Sequence, residues 1–149
     1  MLVTLDDADA YFHTRPASEK WFEKNGADRL KYLTLANRHI NGLPFIGERV
    51  SPDQEDAFPR FIFVHFPDAI QEIAYNRIDT PKEIKEAVYE EAYAVMLYFE
   101  SDTYRFKEMG YTRTNQDGVA VEFSGKNRLL LSDEAMLLVK DWVVSSVVI

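Results

Sequence analysis

The segment from Thr80 to about Glu100 most constrains the fold, because it carries the clearest helical period in the chain. Thr80-Pro81-Lys82-Glu83 combines an N-cap residue, a proline at the first helical position and a glutamate placed to close a capping box. Apolar residues then recur at three- and four-residue spacing and form one wide face: Ile84, Ala87, Val88, Ala92, Val95, Met96 and Phe99. We predict that this segment is the long central helix of a mainly α fold.

Three glutamates lie on another side of this predicted helix. At about 100° per residue, Glu83, Glu86 and Glu90 fall together roughly opposite the apolar face. A solvated surface is the ordinary explanation for such a stripe. The more specific hypothesis is an acidic wall that faces a partner which must not adhere to it.

Shorter helices are predicted on both sides of the central one. Their expected bounds are Leu5 to His13 with Thr4 as N-cap, Ala17 to Lys24 with Trp21 and Phe22 inward, Asp28 to Asn41, and a last helix from Ser132 to about Val144. In the third of these, residues recur at three- and four-residue spacing and form its predicted core stripe: Leu30, Leu33, Ala36, Asn37 and Ile40.

The remaining segments lack a helical period. Prolines and a glycine between Leu43 and Arg60 predict an ordered loop. Phe61 to Phe66 is expected to be extended, and Pro67 begins a short helix through Ile70, Ile73 and Ala74. Met109–Thr114 and Val119–Ser124 flank Asp117-Gly118, which predicts a small β-hairpin. The predicted fold class is therefore a small helical bundle with an ordered loop and one hairpin.

Composition excludes several classes of function. Asp and Glu total 25 against 17 Lys and Arg, so the net charge of −8 opposes a protein that coats nucleic acid. The chain has no cysteine, which excludes thiol catalysis and zinc-finger sites. His13, His39 and His65 lie in separate segments without a second ligand at metal-binding spacing. We expect no metal, no cofactor and no enzymatic activity.

A series of short motifs follows along the chain in a specific order. It consists of Asp7-Ala8-Asp9-Ala10-Tyr11-Phe12, Trp21, Ile40-Asn41-Gly42-Leu43 with Phe45 and Gly47, Gln54-Glu55, Ala57-Phe58-Pro59-Arg60, Pro81-Lys82-Glu83-Ile84-Lys85-Glu86-Ala87 and Tyr89-Glu90-Glu91-Ala92. In order and spacing, these motifs resemble the head–tail connector (adaptor, or head-completion) proteins of tailed bacteriophages. The resemblance covers roughly residues 4 to 124, and Phe58, Pro59 and Arg60 are its most specific part.

The resemblance implies a viral structural protein of the virion neck, made in the bacterial host cytoplasm. A single domain, residues 1–149, would assemble as a homo-oligomeric ring, a dodecamer, on the portal protein. The ring would extend the DNA channel and hold the stopper or tail-completion protein. DNA would pass through the lumen without specific binding, and no membrane would take part.

Residue roles follow from combining the resemblance with the patterns above. Glu83, Glu86 and Glu90 are candidates for lining the channel, since repulsion keeps packaged DNA sliding. The apolar C-terminal tail, residues 142–149, is a candidate for contact with the portal or a neighbouring subunit, through Trp142, Val143, Val144, Val147, Val148 and Ile149. The hairpin or the Leu43–Arg60 loop would meet the protein below.

Two alternatives stay open. Many relatives of the resembled family are described as DnaT-like single-stranded DNA-binding proteins, so a replication accessory protein is the main rival. Tyrosines such as Tyr75 and Tyr89 could stack bases, although a basic groove usually accompanies them. A small enzyme that uses a pair of carboxylates is the less favoured alternative.

Overall fold

The protein is described by a computed structural model over residues 1–65, 73–101, 113–116, 119–122 and 130–144. The helices in these ranges are α1 (Leu5–Thr14), α2 (Glu19–Phe22), α3 (Gly26–Asn41), α4 (Lys82–Glu100) and α5 (Asp133–Val139). The strands are β1 (Glu48–Arg49), β2 (Arg60–His65), β3 (Ile73–Ile78), β4 (Arg113–Gln116) and β5 (Val119–Glu122). The prediction of a mainly α fold with one long helix and a small hairpin is confirmed.

Helix α4 is the centre of the bundle and packs against α1, α3 and α5. Six of its seven predicted core residues, from Ile84 to Met96, are fully buried. The prediction for Phe99 is wrong, because this side chain lies in the last turn of α4 and is 41% exposed.

The start of α4 also differs from the prediction. Pro81 is the N-cap residue and makes no side-chain cap, so the expected capping box of Thr80 and Glu83 is absent from this helix start.

The helices before α4 follow the predicted order with different ends. The Thr4 side chain accepts from the Asp7 amide, which confirms it as the cap of α1. Helix α3 is capped by Asn25, whose side-chain oxygen accepts from the Asp28 amide at 2.8 Å, so Asp28 lies in the first turn. Its core stripe is confirmed except at Leu30, which is 42% exposed.

Helix α2 is only four residues long, and it buries Trp21 but not Phe22. The expectation that both aromatic rings point inward is therefore wrong for Phe22. Its ring stacks on His13 with a centroid distance of 4.4 Å, and the Arg29 guanidinium lies 5.7 Å from it. Phe22 therefore packs against His13 and Arg29 at the edge of the bundle and not in its core.

The first sheet contains three antiparallel strands in the order β1-β2-β3. Arg60 pairs with Ile78 and Phe63 pairs with Tyr75. The expected strand is confirmed up to His65, whereas the expected helix is wrong at Ile73 and Ala74; its earlier residues, 67–72, lie outside the described ranges. A strand needs a partner for its backbone N–H and C=O groups, and β3 supplies that partner for β2.

Helix α5 ends at Val139 and not near Val144 as predicted. Its N-cap is confirmed, since the Ser132 side chain accepts from the Ala135 amide. The chain after α5 becomes extended because the Trp142 carbonyl accepts from the Ile46 amide and the Val144 amide donates to the Pro44 carbonyl. These bonds to the loop replace the helical ones.

The second sheet is the hairpin of β4 and β5, in which Gln116 pairs with Val119. Its turn residues, Asp117 and Gly118, and the ends predicted at Met109 and Ser124 lie outside the described ranges.

Within the described residues, we find no helix of the length and apolarity that a membrane span requires.

Candidate functional site

The Leu43–Arg60 loop is organised around the side chain of Arg60. This residue is 9% exposed and its guanidinium donates only to main-chain carbonyls: those of Phe45 at 3.2 Å, Ile46 at 2.9 Å, Gly47 at 2.7 Å and Ala57 at 3.1 Å. Burial, with the nearby charge of Arg49, lowers the pKa of Arg60. A buried cation needs these dipoles, so both ends of the loop are held in one conformation.

Two amide side chains complete the loop. The Asn41 carbonyl oxygen accepts from the Ala57 amide at 2.8 Å, which attaches the loop to the end of α3. Gln54 donates to the Asp56 and Pro59 carbonyls. Gly47 has φ +75°, and a side chain there would collide with the Phe61 carbonyl. The expected ordered loop therefore has specific residues that order it.

The resemblance motifs contact one another at distant points of the chain. The Trp21 indole donates to Asp9 at 2.8 Å, and the Tyr11 hydroxyl donates to Glu90 at 2.6 Å. The contacts of Asn41, Gln54 and Arg60 join the motifs at the end of α3 to those of the loop, so the hydrogen bonds define two groups of motifs. Apolar residues of both groups, among them Phe12, Ile40 and Phe58, lie in one hydrophobic core. That core makes the series one connected scaffold of α1, α2, α3, α4 and the loop.

The three glutamates predicted to share an exposed face differ in their exposure. Glu83 is exposed and Glu86 is half-buried, with Lys82 at 3.5 Å. The prediction is wrong for Glu90, which is 7% exposed. Helix α1 covers this part of α4, and the Arg15 guanidinium binds the Glu90 carboxylate through both oxygens at 2.7 and 3.0 Å.

An acidic surface remains where α1 begins and α4 makes its second turn. Asp6 and Asp7 are exposed there. Burial, followed by the charges of Asp7 and Glu86, raises the pKa of Tyr89 to about 12. We call Asp6, Asp7 and Glu86 the acidic surface; the buried Glu90 is not part of it.

Glu91 is a buried residue that sequence reasoning missed. Its carboxylate is fully buried and lies 2.7 Å from His39 Nδ1, and it accepts from the main-chain amides of Leu131 and Ser132. A signal was present in the sequence, because Glu91 lies four residues from both Ala87 and Val95 within the apolar face. A carboxylate at such a position indicates a buried polar contact.

The proposed C-terminal contact residues are only partly available. Val143 is buried and pairs with Phe45 as an isolated β-bridge, so its prediction as a partner contact is wrong. Trp142 is half-buried against Phe58, whereas Val144 is 44% exposed. Val147, Val148 and Ile149 lie outside the described ranges.

An apolar cleft of about 480 Å³ lies between the first sheet and α5. We call it the sheet cleft. Its lining is mostly aliphatic, with two carboxylates, and consists of Ile46, Ile62, Asn76, Ile78, Glu83, Leu137, Leu138, Asp141 and Trp142. Leu137 is 59% exposed at this site. The cleft thus combines open apolar surface with negative charge.

The outer side of α3 carries positive charge, in contrast to the negatively charged sheet cleft. Residues Ala27, Leu30, Lys31, Thr34, Leu35 and Arg38 line a shallow groove there, which we call the α3 outer face. Lys31 and Arg38 are both exposed, and Leu30 lies exposed near them. This surface combines apolar residues with positive charge.

The other face of the first sheet exposes two aromatic rings. Phe63 and Tyr75 are cross-strand partners with ring centroids 4.5 Å apart in an edge-to-face arrangement. Arg77 lies two residues from Tyr75 and therefore on the same face. Strand alternation places Ile62, Asn76 and Ile78 on the cleft side.

The histidines are separated in the structure as well. His39 contacts the Glu91 carboxylate, and in the part of the chain that the structure describes no three potential ligands gather as a metal site. Comparison with known protein families, with curated proteins and with solved structures finds no match to this chain.

Proposed function

We propose that this chain is a structural adaptor of the tailed-phage neck. Twelve copies form a ring on the portal protein, extend the DNA channel and provide the attachment surface for the stopper or tail. The observation that carries this proposal is the connected scaffold. The motifs that resemble the connector family bind one another, at Asp9–Trp21, Tyr11–Glu90 and Arg60 with the Phe45 and Gly47 carbonyls.

The proposed mechanism is geometric. The loop ordered by Arg60 and the segment at Trp142 form one rigid unit through their main-chain hydrogen bonds, which suits a docking surface for a neighbouring protein. The acidic surface of Asp6, Asp7 and Glu86 is our candidate for the channel wall. Its charge repels DNA phosphates, so the DNA slides and does not adhere.

The test is assembly. The purified chain is measured by native mass spectrometry, alone and with the portal protein encoded in the same genome. We expect a complex of twelve copies on the portal. A chain that stays monomeric and does not bind the portal at micromolar concentration would contradict the proposal.

A single-stranded DNA-binding function is the second candidate, and the Phe63–Tyr75 pair favours it. Exposed rings beside Arg77 on a sheet are suited to base stacking. Titration with oligo-dT at two salt concentrations separates the two functions. Salt-sensitive submicromolar binding that Phe63→Ser and Tyr75→Ser abolish would support the rival, whereas the adaptor proposal predicts no such binding.

A further inference from the structure

We infer that the α3 outer face of one copy docks in the sheet cleft of a second copy. This inference rests on the proposed ring, and it names the subunit contact that closes it. The occupant of the cleft is a helix that presents the exposed Leu30, the half-buried Leu35 and two cations, which is the surface of α3.

The chemistry of the two surfaces is complementary. The cleft offers aliphatic lining and the carboxylates of Glu83 and Asp141. The α3 outer face offers Leu30 and Leu35 with the cations of Lys31 and Arg38. An amphipathic helix in an apolar groove is a recurrent mode of recognition, and opposite charges at the rim fix its register.

The spacing along α3 is consistent with this mode. Lys31 and Arg38 are seven residues apart, about 10 Å along the helix axis and on the same side of it. At 100° per residue, Leu30 and Leu35 lie on opposite sides of the line through Lys31 and Arg38. One helix face can therefore bring both cations to the cleft carboxylates with a leucine packed on each side.

The topology of the contact fits a closed ring. The sheet cleft and the α3 outer face share no residue, so one copy can use both surfaces at the same time. A contact between two different surfaces is heterologous and continues from subunit to subunit until it closes. The acidic surface proposed for the channel, Asp6, Asp7 and Glu86, takes no part in the contact.

Charge reversal on each side tests the contact. One variant carries Lys31→Glu and Arg38→Glu, and the other carries Glu83→Lys and Asp141→Lys. Like charges across an interface are strongly unfavourable, so each variant alone should show less than about a tenth of the wild-type assembly. A matched control, Lys20→Glu with Lys85→Glu, reverses two exposed lysines outside both surfaces and should assemble normally.

Mixing the two variants gives the decisive result. Each contact between the two kinds of subunit then restores opposite charges, so the mixture should form rings in which the variants alternate. Restored assembly also shows that both variants fold. Native mass spectrometry, with and without the portal protein, distinguishes mixed rings by mass.

The outcomes separate this inference from the proposed function. Wild-type rings that both charge reversals leave intact, or a mixture that stays unassembled, would overturn the α3-to-cleft contact but not the adaptor function. A wild-type chain that never assembles would overturn both. Loss of oligo-dT binding in the Lys31 and Arg38 variant, with unchanged assembly, would assign that surface to nucleic acid and also overturn the contact.

Discussion

Glu90 and Glu91 are neighbours in α4, but the groups that stabilise their carboxylates differ. Glu90 faces α1 and binds side chains, the Tyr11 hydroxyl and the Arg15 guanidinium. Glu91 faces α3 and the start of α5. It binds His39 and, through main-chain amides, Leu131 and Ser132. The first region depends on a salt bridge, and the second depends mainly on the backbone.

This difference determines what each region can tolerate. The partners of Glu90 can be removed by substitution, and Arg15 keeps some contact with solvent. The main-chain amides that bind Glu91 cannot be removed by substituting the side chains of Leu131 and Ser132. These contacts are lost only when Glu91 itself is replaced. We therefore expect Glu91 to position the start of α5, including its Ser132 cap, more strictly than Glu90 positions α1.

Replacing Glu91 should have the largest effect. Glu91→Ala leaves two amides and His39 without their acceptor in a buried site, so we expect the free energy of unfolding to fall by about 3–5 kcal/mol. Urea unfolding followed by circular dichroism measures this change. Glu91→Gln is the matched control; it keeps one acceptor oxygen and most of the volume, and should lose about 1–3 kcal/mol. Losses below about 0.5 kcal/mol in both variants would show that the backbone contacts do not stabilise the junction.

Substitutions at Glu90 and Arg15 should lower the free energy of unfolding less than the loss of Glu91, and the two residues should be energetically coupled. A double-mutant cycle with Glu90→Gln and Arg15→Met should give a coupling energy of about 1–2 kcal/mol in urea unfolding. The value is smaller because the Arg15 side chain is 23% exposed and water replaces part of the lost contact. Additive single variants, with no coupling, would remove the distinction between the two carboxylates.

The same comparison shows where sequence reasoning succeeds. Periodicity identified α4, and its core from Ile84 to Met96 is buried as predicted, because these residues follow the 3.6-residue repeat. Cap residues also identified the starts of α1 and α5 at Thr4 and Ser132. These features depend on neighbours in sequence, so a single chain contains the information that they need.

Features that depend on residues far apart in the chain could not be predicted from local periodicity. The helical angle of Glu90 on α4 predicted an exposed side chain. It is buried because α1 packs against α4 and brings Arg15 to its carboxylate. The strand at Ile73 and Ala74 pairs with β2, and the extended segment at Val143 pairs with Phe45. The sheet cleft and the α3 outer face likewise combine residues from separate elements, so neither could be assigned before the fold was known.

The smallest expected effect is alkaline, and it tests whether Tyr11 shares Glu90 with Arg15. Burial, the hydrogen bond to Glu90 and the charges of Glu90 and Glu86 raise the pKa of Tyr11 above its ordinary value of 10.0. A pKa that is higher in the folded state means that the stabilisation is complete below about pH 10 and is lost as the pH rises through the folded value. The free energy of unfolding of the wild type should therefore decrease more steeply above about pH 10 than that of Tyr11→Phe, in urea titrations at matched ionic strength. Tyr89, whose pKa is also raised, is present in both proteins, so the difference between the two slopes reports on the hydroxyl that Tyr11→Phe removes. Equal slopes of the free energy of unfolding against pH would mean that the Tyr11 proton does not stabilise Glu90. The salt bridge to Arg15 would then be the contact that distinguishes the Glu90 region from the Glu91 region.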